Sequence, residues 1–336
     1  MLPLGKLPPD QLARLLSGFA RADVSVLLGP GVGLDCAVLD LGGDQLLVAK
    51  SDPITFATDE IGWYAVHVNA NDVATTGALP HWFLSTVLLP QNAPPDLIDR
   101  IFEQIRSAAD EIGATIVGGH TEVTHDLARP IVVGTLLGLV ERSRLILPTG
   151  ARPGDAIILT KRMAVESTAI IAREKAGELA GSFDATYLNH CRNFLHDPGI
   201  SVVRDAQLAV RAGRIHAMHD PTEGGLATAL NELAIASRVE LVVDAAAVPI
   251  YPETQRLCEF FRLDPWGVIA SGSLLIAAEA ADAAQIVQAL KADRIEAAVI
   301  GQATAESERP MVWLKRGEEV HPLPTFPRDE IARLFE

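Results

Sequence analysis

Five acidic segments of this 336-residue chain place side chains where they can do chemistry. Asp35 follows Gly29-Pro30-Gly31-Val32-Gly33-Leu34, with three glycines in five residues. Glycines at this density let backbone N–H groups approach a ligand and suit phosphate, or they form a plain turn. Asp52 lies in Lys50-Ser51-Asp52-Pro53, just past an expected strand, where a carboxylate can also be a simple turn residue. Asn71-Asp72 interrupts an apolar segment, Val66 to Ala74, that reads as a helix. On that helix Asn69, Asp72 and Thr76 share a face. A charge there needs a partner, and a divalent cation is one; a cap or a solvent-facing kink is the other reading. Gly118-Gly119-His120-Thr121-Glu122 reads as a glycine turn that presents polar side chains at a strand end. His219-Asp220-Pro221-Thr222-Glu223-Gly224-Gly225 has the same pattern. Asp220 or Thr222 can cap the helix that follows, and Gly224 and Gly225 at its N-terminus can instead receive phosphate.

Magnesium with a polyphosphate accounts for these scattered carboxylates together. Mg²⁺ takes few carboxylates and draws its other oxygens from water and phosphate. The glycine stretch at 29–33 is neither a dinucleotide fingerprint nor a P-loop: its spacing differs, a strand follows it, and no Gly-Lys-Ser/Thr occurs. His120 with His125, and His216 with His219, do not match a zinc spacing. Cys36, Cys191 and Cys258 are far apart, so buried thiols are expected and a disulfide framework is not.

These residues need two mixed α/β halves to position them. Strands are expected at Cys36–Leu41, Gln45–Ala49, His81–Leu89, Thr115–Val117 and Ile131–Val140. A helix is expected over Ile61–Gly77. Another spans Asp96–Ile112, where apolar residues recur at helical spacing, Asp96 caps the start and Gly113 ends it. The Pro148–Asp155 loop separates residues 1–147 from 148–336. The second half continues with strands at Ile157–Thr160, Val239–Val243, Ser273–Ala278 and Ala297–Ile300, and a possible final one at Met311–Leu314. Its helices are expected at Val165–Lys175, Ser201–Ala212, Glu223–Ser237 and Asp282–Leu290. The net charge of −15 is shared between the halves, so a nucleic-acid-binding face is not expected. No apolar run is long enough to span a membrane, and the first ten residues lack the order of a secretion signal, so a cytoplasmic location is expected.

Taken together, the segments resemble the aminoimidazole ribonucleotide synthetase (PurM-like) superfamily, and within it the hydrogenase maturation protein E branch and the AIR synthase related proteins. The likeness runs from about Gly29 to Gly301. Its carriers are Gly31 to Val38, Ser51-Asp52, Asn71 to Pro80, Gly118 to Val123, Arg152 to Asp155, His219 to Leu226 and Ser271 to Leu275. It implies an α/β (α+β) fold of two domains: an N-terminal ATP-binding domain whose mixed sheet forms a barrel across a homodimer, and a C-terminal α/β sandwich. It also implies ATP bound through Mg²⁺. Asp35, Asp52 and Asp72 match the carboxylates that hold metal and phosphate. Gly31 and Gly33 match the glycine loop over the phosphates. Asn71, Gly118 and Gly119 fall in the nucleotide-binding motifs, while Asp220, Gly224 and Gly225 match the motif that faces the substrate.

The chain departs from that pattern at three places. His120 stands where many members have Asp, and neutral His is a poor Mg²⁺ ligand, so Glu122 is the candidate to supply the charge. The sequence ends Asp329 to Glu336 without the tail Cys of hydrogenase maturation protein E, so thiocyanate formation on its own tail is not expected. Lys161-Arg162-Met163-Ala164-Val165-Glu166 replaces a more glycine-rich turn, making Lys161 and Glu166 candidate substrate contacts. The resulting expectation is an ATP- and Mg²⁺-dependent enzyme acting on an oxygen of an unidentified amide-, carbamoyl- or similar acceptor, with His120, Lys161 and Asp220 as catalytic candidates. A non-catalytic ATP-binding protein that docks a partner is the alternative; a paralogue binding another phosphorylated small molecule is a third reading. Asp72→Asn should abolish Mg²⁺-dependent nucleotide binding, with the apo melting temperature unchanged or raised by relief of carboxylate repulsion.

Overall fold

The structure, a computed structural model, describes residues 7, 9–19, 23–31, 34–55 and 59–335. The chain folds as two units, Met1–Leu145 and Ile146–Glu336. The first contains α1 (Pro9–Leu16), β1 (Val26–Leu28), β2 (Ala37–Leu39), β3 (Gln45–Ile54), α2 (Ile61–Thr75), β4 (Leu79–Pro90), α3 (Pro95–Ile112), β5 (Thr115–Thr124) and β6 (Ile131–Glu141). Its six strands lie in the order β1-β2-β3-β6-β4-β5. Only β4 and β5 run parallel, joined through α3; the other neighbours are antiparallel.

Alternation along β3 sends Leu46 and Val48 into the core. The same period of two puts Lys50 and Asp52 on that face. Helix α2 covers it and is buried along nearly its whole length. Gly134 and Gly138 of β6 allow this: a Cβ on Gly134 would run into Asn69 and Ala65, and one on Gly138 into Val73. Hydroxyls of Thr75 and Thr76 donate to the carbonyls of Asp72 and Val73 and close the helix, before Gly77 turns the chain with positive φ. Helix α3 packs Ile101, Ile105, Ala108 and Ala109 inward and ends at a left-handed Gly113, as its spacing predicts. Its cap differs from the expectation. Pro94 holds the N-cap position, and Asp96 sits in the first turn, paired with Arg100.

The boundaries of β3 and β5 differ in ways that bear on the site. Strand β3 continues through Pro53, so Asp52 belongs to the strand and does not follow it. Strand β5 runs straight through Gly118-Gly119-His120-Thr121-Glu122, so that segment is not a turn. A bulge opposite Phe83 and Leu84 brings the β4 backbone so close that a Cβ on Gly119 would meet the Ser85 carbonyl. Strand packing requires the glycine at 119, while Gly118 faces open space and is favoured by its positive φ.

The second unit contains β7 (Ala156–Thr160), α4 (Val165–Glu174), α5 (Ala176–Leu179), α6 (Ala185–Arg192), α7 (Val203–Ala212), β8 (Ile215–His219), α8 (Gly225–Ser237), β9 (Val239–Asp244), α9 (Pro252–Phe261), β10 (Leu275–Ala278), α10 (Ala283–Ala292), β11 (Ala297–Glu306), β12 (Val312–Arg316) and β13 (Glu319–Pro322). Its strands form one mixed sheet, β13-β12-β9-β11-β7-β10-β8. Leu226, Leu230 and Leu233 of α8 pack on Leu159, Leu241, Leu275 and Ile300 of that sheet. A separate cluster joins α4, α6 and α9 through Ile171, Leu188, Cys191, Leu257 and Cys258. Among the described residues, no helix is long and apolar enough to cross a membrane.

Candidate functional site

In the N-terminal unit, β3 and α2 converge on one ammonium. The Lys50 Nζ lies 2.8 Å from Asp72 Oδ2 and 3.1 Å from Asp52 Oδ2. Asn69 fixes the register between strand and helix. Its Oδ1 accepts the Asp52 N–H at 2.8 Å, while its Nδ2 donates to the Ala65 carbonyl at 2.8 Å. The shared face of Asn69 and Asp72 thus meets the β3 residues. Asn71 is buried on the same helix. Burial drives the Asp72 carboxyl up, Lys50 pulls it down, and the Asp35 and Asp52 charges add to the rise, leaving it at about 7. For Lys50, burial works against the charge, but Asp72, Asp52 and Asp35 together hold the ammonium above its ordinary range. Asp35 therefore belongs to this electrostatic cluster. The Leu34 N–H beside it donates to the Gly31 carbonyl. Gly33 lies outside the described residues.

His120 and Glu122 are elsewhere in this unit. Both are exposed on β5 and bonded to each other, Nε2 to Oε2, at 3.1 Å. Strand β5 is three strands from β3 in the sheet, roughly 14 Å at ~4.8 Å per strand. Within one chain Glu122 cannot share an ion with Asp52 and Asp72, which corrects the expectation that it completes their charge. Gly118 and Gly119 both lie in the β4–β5 ladder, and Gly119 is held to glycine by the Ser85 carbonyl.

In the C-terminal unit, the start of α8 differs from its sequence reading. The N-cap is Gly224, with positive φ and no side-chain cap of its own. Its N–H donates to Asp329 Oδ2 at 2.7 Å, and the Gly225 N–H donates to the Thr222 carbonyl. Neither N–H is left for a phosphate, and neither Asp220 nor Thr222 supplies the cap. A Cβ on Gly225 would collide with the Trp266 and Val268 carbonyls. Asp220 is buried next to this turn.

Lys161 is also internal. Its ammonium donates to the Ser201 carbonyl at 2.7 Å and the Gly272 carbonyl at 2.9 Å, and pairs with Asp205 at 3.1 Å. Asp205 also accepts from Thr160 Oγ1. With its three donors engaged, Lys161 braces the turn after β7, where the substrate contact was expected. That turn leads to Glu166 in the first turn of α4. Burial pushes the Glu166 carboxyl up to about 7, against a hydrogen bond from Ser271 and with Glu223 and Asp329 adding to the rise. Its Oε2 is buried and has no hydrogen-bond partner among the described residues.

His216 Nδ1 pairs with Asp155 at 2.8 Å, and His219 Nε2 with Glu232 at 2.8 Å, so each ring has its own carboxylate. All three cysteines are buried, and burial drives the Cys191 and Cys258 thiols up to about 11 and about 12. Lys50 and Asp329 are the residues that sequence reasoning missed. The alternation along β3 could have pointed to Lys50; Asp329 lies 105 residues from its partner and carried no local signal.

Comparison with known proteins gives a consistent result. The N-terminal domain of AIR synthase related proteins matches residues 33–140, and the C-terminal domain of the same proteins matches residues 152–313. The chain is 36% identical over 266 residues to carbamoyl dehydratase HypE of Cupriavidus necator, covering 77% of this chain and 73% of that protein. Carbamoyl dehydratase HypE of Rhizobium leguminosarum bv. viciae is 32% identical over 82% of this chain and 78% of its own length. A solved structure of the hydrogenase maturation protein HypE in complex with ATP has a TM-score of 0.71 at 28% identity, over 87% of this chain and 88% of that one. Thiamine monophosphate kinase from Aquifex aeolicus shares the fold, with a TM-score of 0.68 at 17% identity over 91% and 96% of the two chains.

Proposed function

The chain belongs to the AIR synthase related family, and from that premise we propose that it is an ATP- and Mg²⁺-dependent enzyme that phosphorylates or otherwise activates an oxygen of an amide- or carbamoyl-type acceptor. The observation that carries this reading is the convergence of Asp72, Asp52 and Asp35 on one cation, Lys50, at the β3–α2 contact. ATP bound to a HypE of the same fold supports a nucleotide as the ligand.

The donor set suits the metal. Carboxylate oxygens are hard ligands of the kind Mg²⁺ takes, and this cluster already attracts a positive charge. Asp72, Asp52 and Asp35 would hold the ion. When bound, Mg²⁺ would offset negative charge on the polyphosphate. Asn69 keeps Asp52 and Asp72 in register through its bonds to the Asp52 and Ala65 backbones. In the reaction an acceptor oxygen forms a new bond to the γ-phosphorus. The bond from that phosphorus to the bridging oxygen breaks, and its electron pair leaves with ADP. Within the C-terminal unit Asp220 is kept as a proposed catalytic candidate and Lys161 is assigned a positioning role through the turn it braces; within the N-terminal unit His120 is kept as a candidate on β5.

The acceptor is proposed to be a separate molecule. None of the three cysteines in this sequence presents an accessible thiol that could carry the group. The reading is tested by measuring ADP formation from ATP and Mg²⁺ across a panel of amides and carbamoyl compounds. An acceptor that accelerates turnover at least tenfold, with the gain lost in Asp72→Asn, supports it. Tight ATP binding without turnover on any acceptor favours a nucleotide-responsive binding protein instead.

A further inference from the structure

The Lys50 ammonium occupies the place where the cluster's carboxylates converge. It contacts the same Oδ2 atoms of Asp72 and Asp52 that would face an incoming ion. Mg²⁺ binds carboxylate oxygens at ~2.1 Å, so an ion on these Oδ2 atoms would lie within a few ångströms of the ammonium, where the two positive charges repel. We propose that Lys50 is the resident counter-cation of this site, and that a divalent cation reaches Asp72 and Asp52 only by displacing it. The inference rests on the nucleotide–metal reading above.

Three features make the exchange feasible. The Lys50 side chain is 10% exposed and Asp72 7%, so an unpaired Asp72 carboxylate would be costly. A cation or a proton must therefore neutralise it in the metal-free state too. Asp52 is 40% exposed, giving the lysine a route outward along its four-carbon stem. The pair also neutralises part of the acidic cluster, so it holds α2 against β3 before any ligand arrives. Metal binding then has to work against an existing ion pair, which weakens free Mg²⁺ and favours an ion that arrives with a polyphosphate.

The test is Mg²⁺ binding to the full chain by calorimetry, with and without ATP, for the wild type, Lys50→Met and Lys50→Arg. Lys50→Met should melt lower than the wild type without metal, yet bind free Mg²⁺ at least tenfold more tightly. Lys50→Arg should keep the weak wild-type affinity. Unchanged or weaker Mg²⁺ binding by Lys50→Met overturns the inference, and the proposed function stands if MgATP still binds the wild type. Loss of both Mg²⁺ and MgATP binding in folded wild-type protein removes the proposed function and the inference together. Amine acetylation of the wild type, mapped by mass spectrometry, is independent of the variant's folding. Labelling of Lys50 should rise severalfold on adding MgATP; constant or reduced labelling contradicts displacement.

Discussion

Glu166 offers a direct check on the electrostatics of the C-terminal unit. Its carboxyl is buried, one oxygen has no hydrogen-bond partner among the described residues, and the groups acting on it are the Ser271 hydroxyl and backbone, Glu223 and Asp329. Burial raises it from the ordinary 4.5 to about 7. Between those values the folded chain keeps a proton that the unfolded chain has released. Stability is therefore fully present below about pH 4.5, falls as pH rises, and levels off above about 7. At about 1.4 kcal/mol per pH unit, the loss amounts to about 3 kcal/mol. Glu166→Gln is neutral at every pH and escapes this loss. The variant should gain on the wild type by about 3 kcal/mol between pH 4.5 and pH 7.5, whatever its offset at low pH. Asp329 is also raised by burial, but it remains in both proteins and largely cancels in the comparison. The assay is urea unfolding at a series of pH values, read by pulsed hydrogen exchange in peptides from residues 146–336. A stability difference that is flat with pH, or that grows toward acid, would refute the reasoning.

Other perturbations follow from the same contacts. Asp72→Asn leaves Lys50 with the partly exposed Asp52 as its remaining direct ion-pair partner, so it should cost about 3 kcal/mol in urea unfolding. This reverses the sequence-level expectation of an unchanged or raised melting temperature, and the Lys50→Met, Asp72→Asn double variant should recover more than half of the loss. Gly119→Ala forces a Cβ onto the Ser85 carbonyl and should lower stability by about 2 kcal/mol or more, with the increase in amide exchange concentrated in β4 and β5. Lys161→Met leaves Asp205 buried without its cation and should cost about 3 kcal/mol in thermal or urea unfolding while ATP affinity stays within twofold.

Much of the frame was legible because it depends on local periodicity. The spacing from Leu97 to Ile112 marks α3 and its end at Gly113, and the polar residues inside the apolar α2 segment mark the face that meets β3. Asp35, Asp52 and Asp72 could be grouped through their motifs; Asp52 and Asp72 pair with one ammonium, and the Asp35 charge acts on it. What escaped depends on contacts distant in sequence. Gly118-Gly119 reads locally as a turn, yet it is strand because β4 lies against it. Pro53 reads as a stop, yet β3 pairs with β6 through it. Asp220 and Thr222 look like caps for α8, but Asp329 arrives from 105 residues away and takes that role. Lys161 reads in sequence as a candidate substrate contact, and only the position of Asp205 explains its burial. Helices α6 and α9 were not anticipated; their apolar stripes are short and face one another across the α4 cluster.

The central claim is that the carboxylates around Lys50 serve a metal-bound polyphosphate. Its most direct test is a calorimetric titration of the full chain with ATP, with and without Mg²⁺, using ADP as the control. The account predicts binding that requires Mg²⁺, favours ATP over ADP at least tenfold, and is abolished in Asp72→Asn. Folded protein that binds no ATP in Mg²⁺, or binds it equally well without metal and in Asp72→Asn, would contradict it.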